Sequence, residues 1–242
     1  GDIARLIRGN VMVFDVEAGE LTSLTDADDS AEGPMYIGAD WTADSAQVVF
    51  AAFHGLGDQA QPDALYRADR NGGDLVEIPL PVWPEPYSVY SPTQVAGDAV
   101  LVSIQSKGEA GGVWRVGLDG SDPVQMVASS GPDAVSDPLV VAVAPDGRYA
   151  SIVSVTGLQR LEPVGTFHML DLASGELMPL GSERDLGMVT FAPDGDTGLM
   201  VRDDRLATID SATGAAVPVA NSPEVDQWLM HIPAWAADNT VF

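Results

Sequence analysis

Two stretches, Val143-Ala-Pro-Asp146-Gly147-Arg-Tyr-Ala-Ser-Ile-Val153 and, just after it, Phe167-His-Met-Leu-Asp171-Leu-Ala-Ser-Gly175-Glu176, decide the fold. In the first, two apolar segments flank a tight turn. Asp-Gly between alternating apolar residues is a hairpin signal, because both residues tolerate positive φ. In the second, an alternating strand ends at an Asp, and a Gly-containing turn leads to a further short apolar run at Leu177–Leu180. Together they spell four short antiparallel strands.

Both halves recur along the chain. Copies of the first are Trp41-Thr-Ala-Asp44-Ser-Ala-Gln-Val-Val-Phe50, Phe191-Ala-Pro-Asp194-Gly-Asp-Thr-Gly-Leu-Met-Val201 and Trp235-Ala-Ala-Asp238-Asn-Thr-Val-Phe242, with a weaker Val95-Ala-Gly-Asp98-Ala-Val-Leu-Val102. Copies of the second end at Asp15, Asp69, Gly117 and Asp210. The five stations 15, 69, 117, 171 and 210 lie 54, 48, 54 and 39 residues apart, and passing off the C-terminus and back to Asp15 adds 47. Each step is one four-stranded unit, about 40–50 residues in propeller repeats. A linear array needs capping repeats at both ends, whereas a ring is completed by complementary half-units at its termini. The expected fold is therefore all-β: a five-bladed β-propeller of four-stranded antiparallel blades, residues 1–242 as one domain, closed by N- and C-terminal segments that share a blade.

Composition agrees. The acids are 26 Asp and 10 Glu, and the chain carries 25 Gly and 17 Pro. Asp disfavours helix interiors and favours turns, where its carboxylate accepts from nearby backbone N–H groups. With 11 basic residues against 36 acidic ones the net charge is −25, which repels phosphate and excludes a nucleic-acid surface. No apolar run is long enough for a transmembrane helix. Cysteine is absent, so disulfides and thiolate metal sites are excluded.

The Trp/Phe-x-Pro/Ala-Asp-Gly hairpin, followed by a strand ending in Asp-x-x-x-Gly-Glu, resembles the TolB-type propeller repeat over nearly the whole chain. Pro-Asp-Gly is intact at 145–147 and 193–195. The opening Gly1-Asp-Ile-Ala-Arg-Leu-Ile-Arg-Gly-Asn-Val-Met-Val-Phe-Asp15 looks like the second and third strands of such a blade. The resemblance implies a propeller that docks a partner outside the cytoplasm, so a periplasmic or secreted monomer is expected.

Candidate ligand-binding residues fall in the longer loops, where a rigid scaffold carries its variable surface. Loops feeding the first strand of each unit (25–34, 79–88, 129–138, 181–186 and 220–228) and those joining second to third strands (55–63, 106–112 and 157–165) belong to one face. From the first set come Glu32, Trp83, Glu85, Tyr87, Asp137, Asp185, Asp226 and Trp228, with His231 next to the channel strand that follows. The carboxylates would focus a negative field on one channel mouth. They are hard oxygens of the kind Ca²⁺ takes, but no Asp-x-Asp-x-Asp-Gly loop accompanies them, and a solvated acidic rim is the plainer reading. No other cofactor is expected. Trp83 and Trp228 either grip a ligand or plug gaps between blades.

Catalysis finds little support. His54, His168 and His231 come without a Gly-x-Ser-x-Gly elbow, and His168 alternates with Phe167 and Met169 as a structural histidine would. The expected function is a non-enzymatic binding module for a protein or peptide. The alternative is a carbohydrate-active propeller, lectin or glycoside hydrolase, whose channel-mouth carboxylates would need a set separation.

Overall fold

The computed structural model describes residues 3–7, 9–26, 34–53, 64–84, 87–106, 108–131, 134–156, 164–180, 189–202 and 205–222. Their regular elements are all strands, arranged in five antiparallel sheets, each a simple meander. The first sheet holds β1 (Ile3–Ile7), β2 (Asn10–Asp15) and β3 (Glu20–Ser23). The second holds β4 (Met35–Trp41), β5 (Gln47–Phe53), β6 (Ala64–Asp69) and β7 (Val76–Ile78). The third holds β8 (Ser88–Ala96), β9 (Ala99–Gln105), β10 (Gly112–Gly117) and β11 (Val124–Ala128). β12 (Pro138–Val143), β13 (Tyr149–Thr156), β14 (Val164–Asp171) and β15 (Leu177–Pro179) make the fourth. β16 (Thr190–Phe191), β17 (Thr197–Arg202), β18 (Arg205–Asp210) and β19 (Ala216–Pro218) make the fifth.

The repeat stations land where the sequence places them. Asp15, Asp69, Gly117, Asp171 and Asp210 are the last residues of β2, β6, β10, β14 and β18. In three units the Asp side chain folds the turn that follows. Asp15 Oδ1 accepts from the N–H groups of Glu17 and Ala18 at 2.9 and 2.8 Å. Asp171 Oδ1 accepts from Ala173 and Ser174, both at 2.9 Å, and Asp210 Oδ1 from Ala212 and Thr213 at 3.1 and 2.8 Å. The turn closes when the glycine four residues on donates to the Asp carbonyl: Gly19 at 2.9 Å, Gly175 and Gly214 at 2.8 Å. That last residue sits at φ near +70° in each case (69°, 75° and 68°), a conformation open to glycine at no steric cost. The Asp-x-x-x-Gly pattern thus has one physical cause in all three places.

The chain divides into two compact units, Gly1–Gln125 and Met126–Phe242, with β11 running across the boundary. In the first unit β5 shows why its sequence reads as unbroken apolar residues. Val48 and Phe50 pack with Val11, Val13 and Leu24 of the first sheet, while Val49 and Ala51 pack with Val100, Val102 and Ile104 of the third. A strand covered on both faces loses the polar half of its alternation. Phe50 is fully buried, worth about 1.5–3 kcal/mol of transfer free energy. In the second unit Tyr149, Val153, Phe167 and Met169 of the fourth sheet meet Phe191, Met200, Ala207 and Ile209 of the fifth.

Adjacent sheets are also pinned by polar contacts. Asp40 on β4 accepts from the Val95 N–H of β8 through Oδ2 at 2.8 Å and from Trp41 N–H through Oδ1 at 2.9 Å. β8 is the edge of its sheet, and this contact satisfies an N–H on its open side. In the second unit the Ser151 hydroxyl donates to the Val189 carbonyl at 3.1 Å. β4, β8 and β12, the first strands of three sheets, each carry a register shift, at Ile37/Ala39, Tyr90/Gln94 and Val140/Ala142. The hairpin expected at 235–242, and Trp235 within it, lie outside the described residues.

Candidate functional site

Within a sheet the two ends differ. At one end are tight turns governed by aspartate. Asp44 accepts from the Thr42 hydroxyl at 2.7 Å and from Ala46 N–H at 3.0 Å, and Asp119 from Ser121 N–H at 2.9 Å. Hydrogen bonds hold these carboxyls below the usual carboxylate range: for Asp44 first from the Thr42 hydroxyl, for Asp119 first from the Ser121 hydroxyl, for Asp171 first from Ser174 N–H and for Asp210 first from the Thr213 hydroxyl. Each of these four carboxylates is occupied in folding its own turn, whereas Asp98 pairs with Arg115 at 3.0 Å.

At the other end, in the first unit, an aromatic cluster assembles from one loop and a strand. Trp83, in the segment leading into β8, meets Tyr87 edge-on with ring centroids 4.8 Å apart, and Trp114 of β10 with centroids 5.1 Å apart. Such T-shaped pairs place a ring edge on a neighbour's negative face. Trp114 donates through Nε1 to the Ala110 carbonyl at 2.8 Å, fixing the ring against the loop between β9 and β10. Gln125 holds the same loop, donating to the carbonyls of Glu109 and Gly111 at 3.0 and 2.9 Å. Trp83 and Tyr87 pack on the Val89, Val100 and Ile104 core and remain half-buried, while Val82 beside them is 98% exposed.

The structure brings together Trp83 and Tyr87 of the predicted residues. Asp137 lies in the second unit, exposed, with φ at +42° just before β12. Glu32, Glu85, Asp185, Asp226, Trp228 and His231 lie outside the described residues. Among the described residues no group of three or more acidic or histidine side chains is placed to hold a metal ion, and no helix is long and apolar enough to cross a membrane.

Sequence reasoning missed Trp114. The signal was present, because Tyr66, Trp114 and His168 stand at one station, three residues before the turn Asp or Gly, in consecutive units. Alternation should set that station against a sheet face, half-covered near a loop. His168, half-buried on β14, has a buried Nδ1 without a hydrogen bond among the described residues. Burial lowers its pKa below the ordinary imidazole value, opposed by the Thr166 backbone.

Meander sheets of short antiparallel strands, repeated in series, are the units of a β-propeller-type fold, and the solved structures to which the chain is similar in fold include TolB proteins. It is similar over 95% of its length to 52% of TolB from Acinetobacter baumannii, with a TM-score of 0.59 and 16% identity. Over 98% of its length it is similar to 68% of an oligogalacturonate lyase in complex with manganese, with a TM-score of 0.67 and 16% identity. It is likewise similar to 69% of an oligogalacturonate lyase from Vibrio parahaemolyticus, with a TM-score of 0.64 and 14% identity. At such identities the likeness is one of fold. The chain spans about half the length of the TolB structure. No protein family and no curated protein sequence matches it.

Proposed function

We propose that the chain is a non-catalytic binding module, which takes a protein or peptide partner on its long-loop end and works as a monomer outside the cytoplasm. One observation carries this reading: Trp83 and Tyr87 of one loop and Trp114 of β10 form a braced, half-exposed aromatic cluster. Aromatic anchors of this kind dominate interface energetics. Cross-linked capture from the source organism's extract tests it, with Trp83→Ala as the control. A partner retained by wild type and lost by Trp83→Ala supports the reading. Capture indifferent to Trp83 overturns it.

A carbohydrate ligand is the second reading, favoured by the half-buried aromatic cluster of Trp83, Tyr87 and Trp114, since sugars stack on aromatic rings. A glycan array decides between them. Binding abolished by Trp83→Ala would establish the sugar, and glycoside turnover lost in Asp137→Asn would make the chain an enzyme.

The five-bladed, closed ring on one domain belongs to the same proposal. Its support is the first sheet, which has three described strands where the others have four. Segment 235–242 would supply the missing strand. Ending the chain at Pro233 should then give insoluble or markedly destabilised protein, because an open edge templates aggregation. Deleting 56–62 should cost little, since loop length weakly affects stability. A soluble, cooperatively melting truncation would refute closure.

A further inference from the structure

The station that carries Trp114 in the third sheet carries Tyr66 in the second, and there it builds a separate feature. On the second sheet's face toward the first, Phe50, Tyr66 and Glu77 stand directly opposite one another across β5, β6 and β7. Phe50 and Tyr66 stack with centroids 6.2 Å apart, and Tyr36 of β4 meets Phe50 edge-on at 5.6 Å. Phe50 is the buried floor, while the two tyrosines are half-buried on either side of it. Asp26, exposed in the segment leading into β4, and Glu77, exposed on β7, flank the pair. Their charges reach the phenols: burial and then Asp26 raise the pKa of Tyr36, and burial followed by Glu77 and Tyr36 raises that of Tyr66. Among the described residues neither carboxylate has a cationic partner. Arg67, the neighbour of Tyr66 on β6, is instead engaged with Gln47, donating to its Oε1 at 3.0 Å.

We propose that this tyrosine-bearing, acid-flanked face of the second sheet is a second binding site, for a basic side chain of a peptide partner. The cation would lie over the Tyr36 and Tyr66 rings and between Asp26 and Glu77. Two tyrosine faces attract a cation through their quadrupoles, and the flanking carboxylates neutralise it. Charge complementarity selects the occupant, because a chain of net charge −25 attracts basic segments and repels acidic ones. The inference rests on the binding-module reading and gives the partner's chemistry.

Calorimetric titration of the full chain with a tetra-arginine peptide, against a neutral tetra-citrulline peptide, tests it. Tetra-arginine should bind and tetra-citrulline should not. Tyr36→Leu and Tyr66→Leu leave net charge unchanged, and each should weaken binding about 2–5-fold. Asp26→Asn with Glu77→Gln should weaken it more than Glu109→Gln with Asp122→Asn, a pair that removes equal charge elsewhere. These carboxylates are exposed, so that comparison holds even where a tyrosine variant fails to fold. Equal weakening by the two pairs would reduce the binding to net charge and overturn the proposal, as would no binding at all. Loss of tetra-arginine binding in Trp83→Ala would put the peptide on the other cluster, ending this inference but not the binding-module reading. Retained tetra-arginine binding with no Trp83-dependent capture would end that reading alone.

Discussion

Replacing Asp40 with alanine tests whether polar pins between sheets matter beside apolar packing. Its carboxylate accepts from Val95 N–H on β8 at 2.8 Å and from Trp41 N–H at 2.9 Å. Alanine leaves the Val95 N–H without its partner on the open edge of β8. Losing a hydrogen bond to a charged group costs about 1.5–3 kcal/mol. For a chain of this size that corresponds to roughly 3–12 °C in melting midpoint. Asparagine removes the charge but keeps one acceptor oxygen, enough for Val95 or for Trp41 and not for both, so Asp40→Asn should melt between wild type and Asp40→Ala. The two variants also separate by pH. Burial raises the Asp40 pKa above 3.8, against the opposing hydrogen bonds from Val95 and Trp41. The folded state therefore holds the proton more tightly than the unfolded chain does. Stability from this group falls as pH rises from 3.8 through the raised folded value, and Asp40→Asn should lack that slope. Thermal melts by circular dichroism across that range read both effects. An Asp40→Ala protein that melts with wild type at neutral pH would show that the pin contributes nothing beside apolar packing.

Glycine turns should divide by their surroundings. Gly175→Ala places a Cβ in open space at φ +75° and should cost about 1–2 kcal/mol from left-handed strain, read by denaturant unfolding. Gly120→Ala, at φ +84°, should cost more, because its Cβ would lie 2.6 Å from Pro79 Cδ and 2.9 Å from the Pro79 carbonyl oxygen. The turn aspartates Asp44, Asp119, Asp171 and Asp210 have lowered folded pKa values, so their contribution is full above the unfolded 3.8 and is lost as pH falls through the folded values. Acid melts of Asp210→Asn should show a shallower loss below pH 3.8 than wild type. With a net charge of −25, raising the salt concentration should raise the melting midpoint by screening self-repulsion, and a midpoint that falls with salt would contradict this.

The all-β class, the four-strand unit and the chemistry of its turns were legible in the order of residues alone. Those features are local, since Asp-x-x-x-Gly folds through contacts within four residues, and alternation reports burial strand by strand. That order also made Trp83 and Tyr87 candidates, because two aromatics in one proline-rich loop are visible at short range. Trp114 was legible only by aligning one station across units, as an alternation partner of Val113 whose exposure depends on a loop from another sheet edge. The Asp40–Val95 pin, which joins residues 55 apart, had no local signature at all. Nor did the setting of Tyr36 and Tyr66 on either side of Phe50. Turn geometry is set by bonds the chain makes with itself at once. Which face meets which neighbour, and which polar atom is thereby satisfied, is set only when sheets distant in sequence pack together.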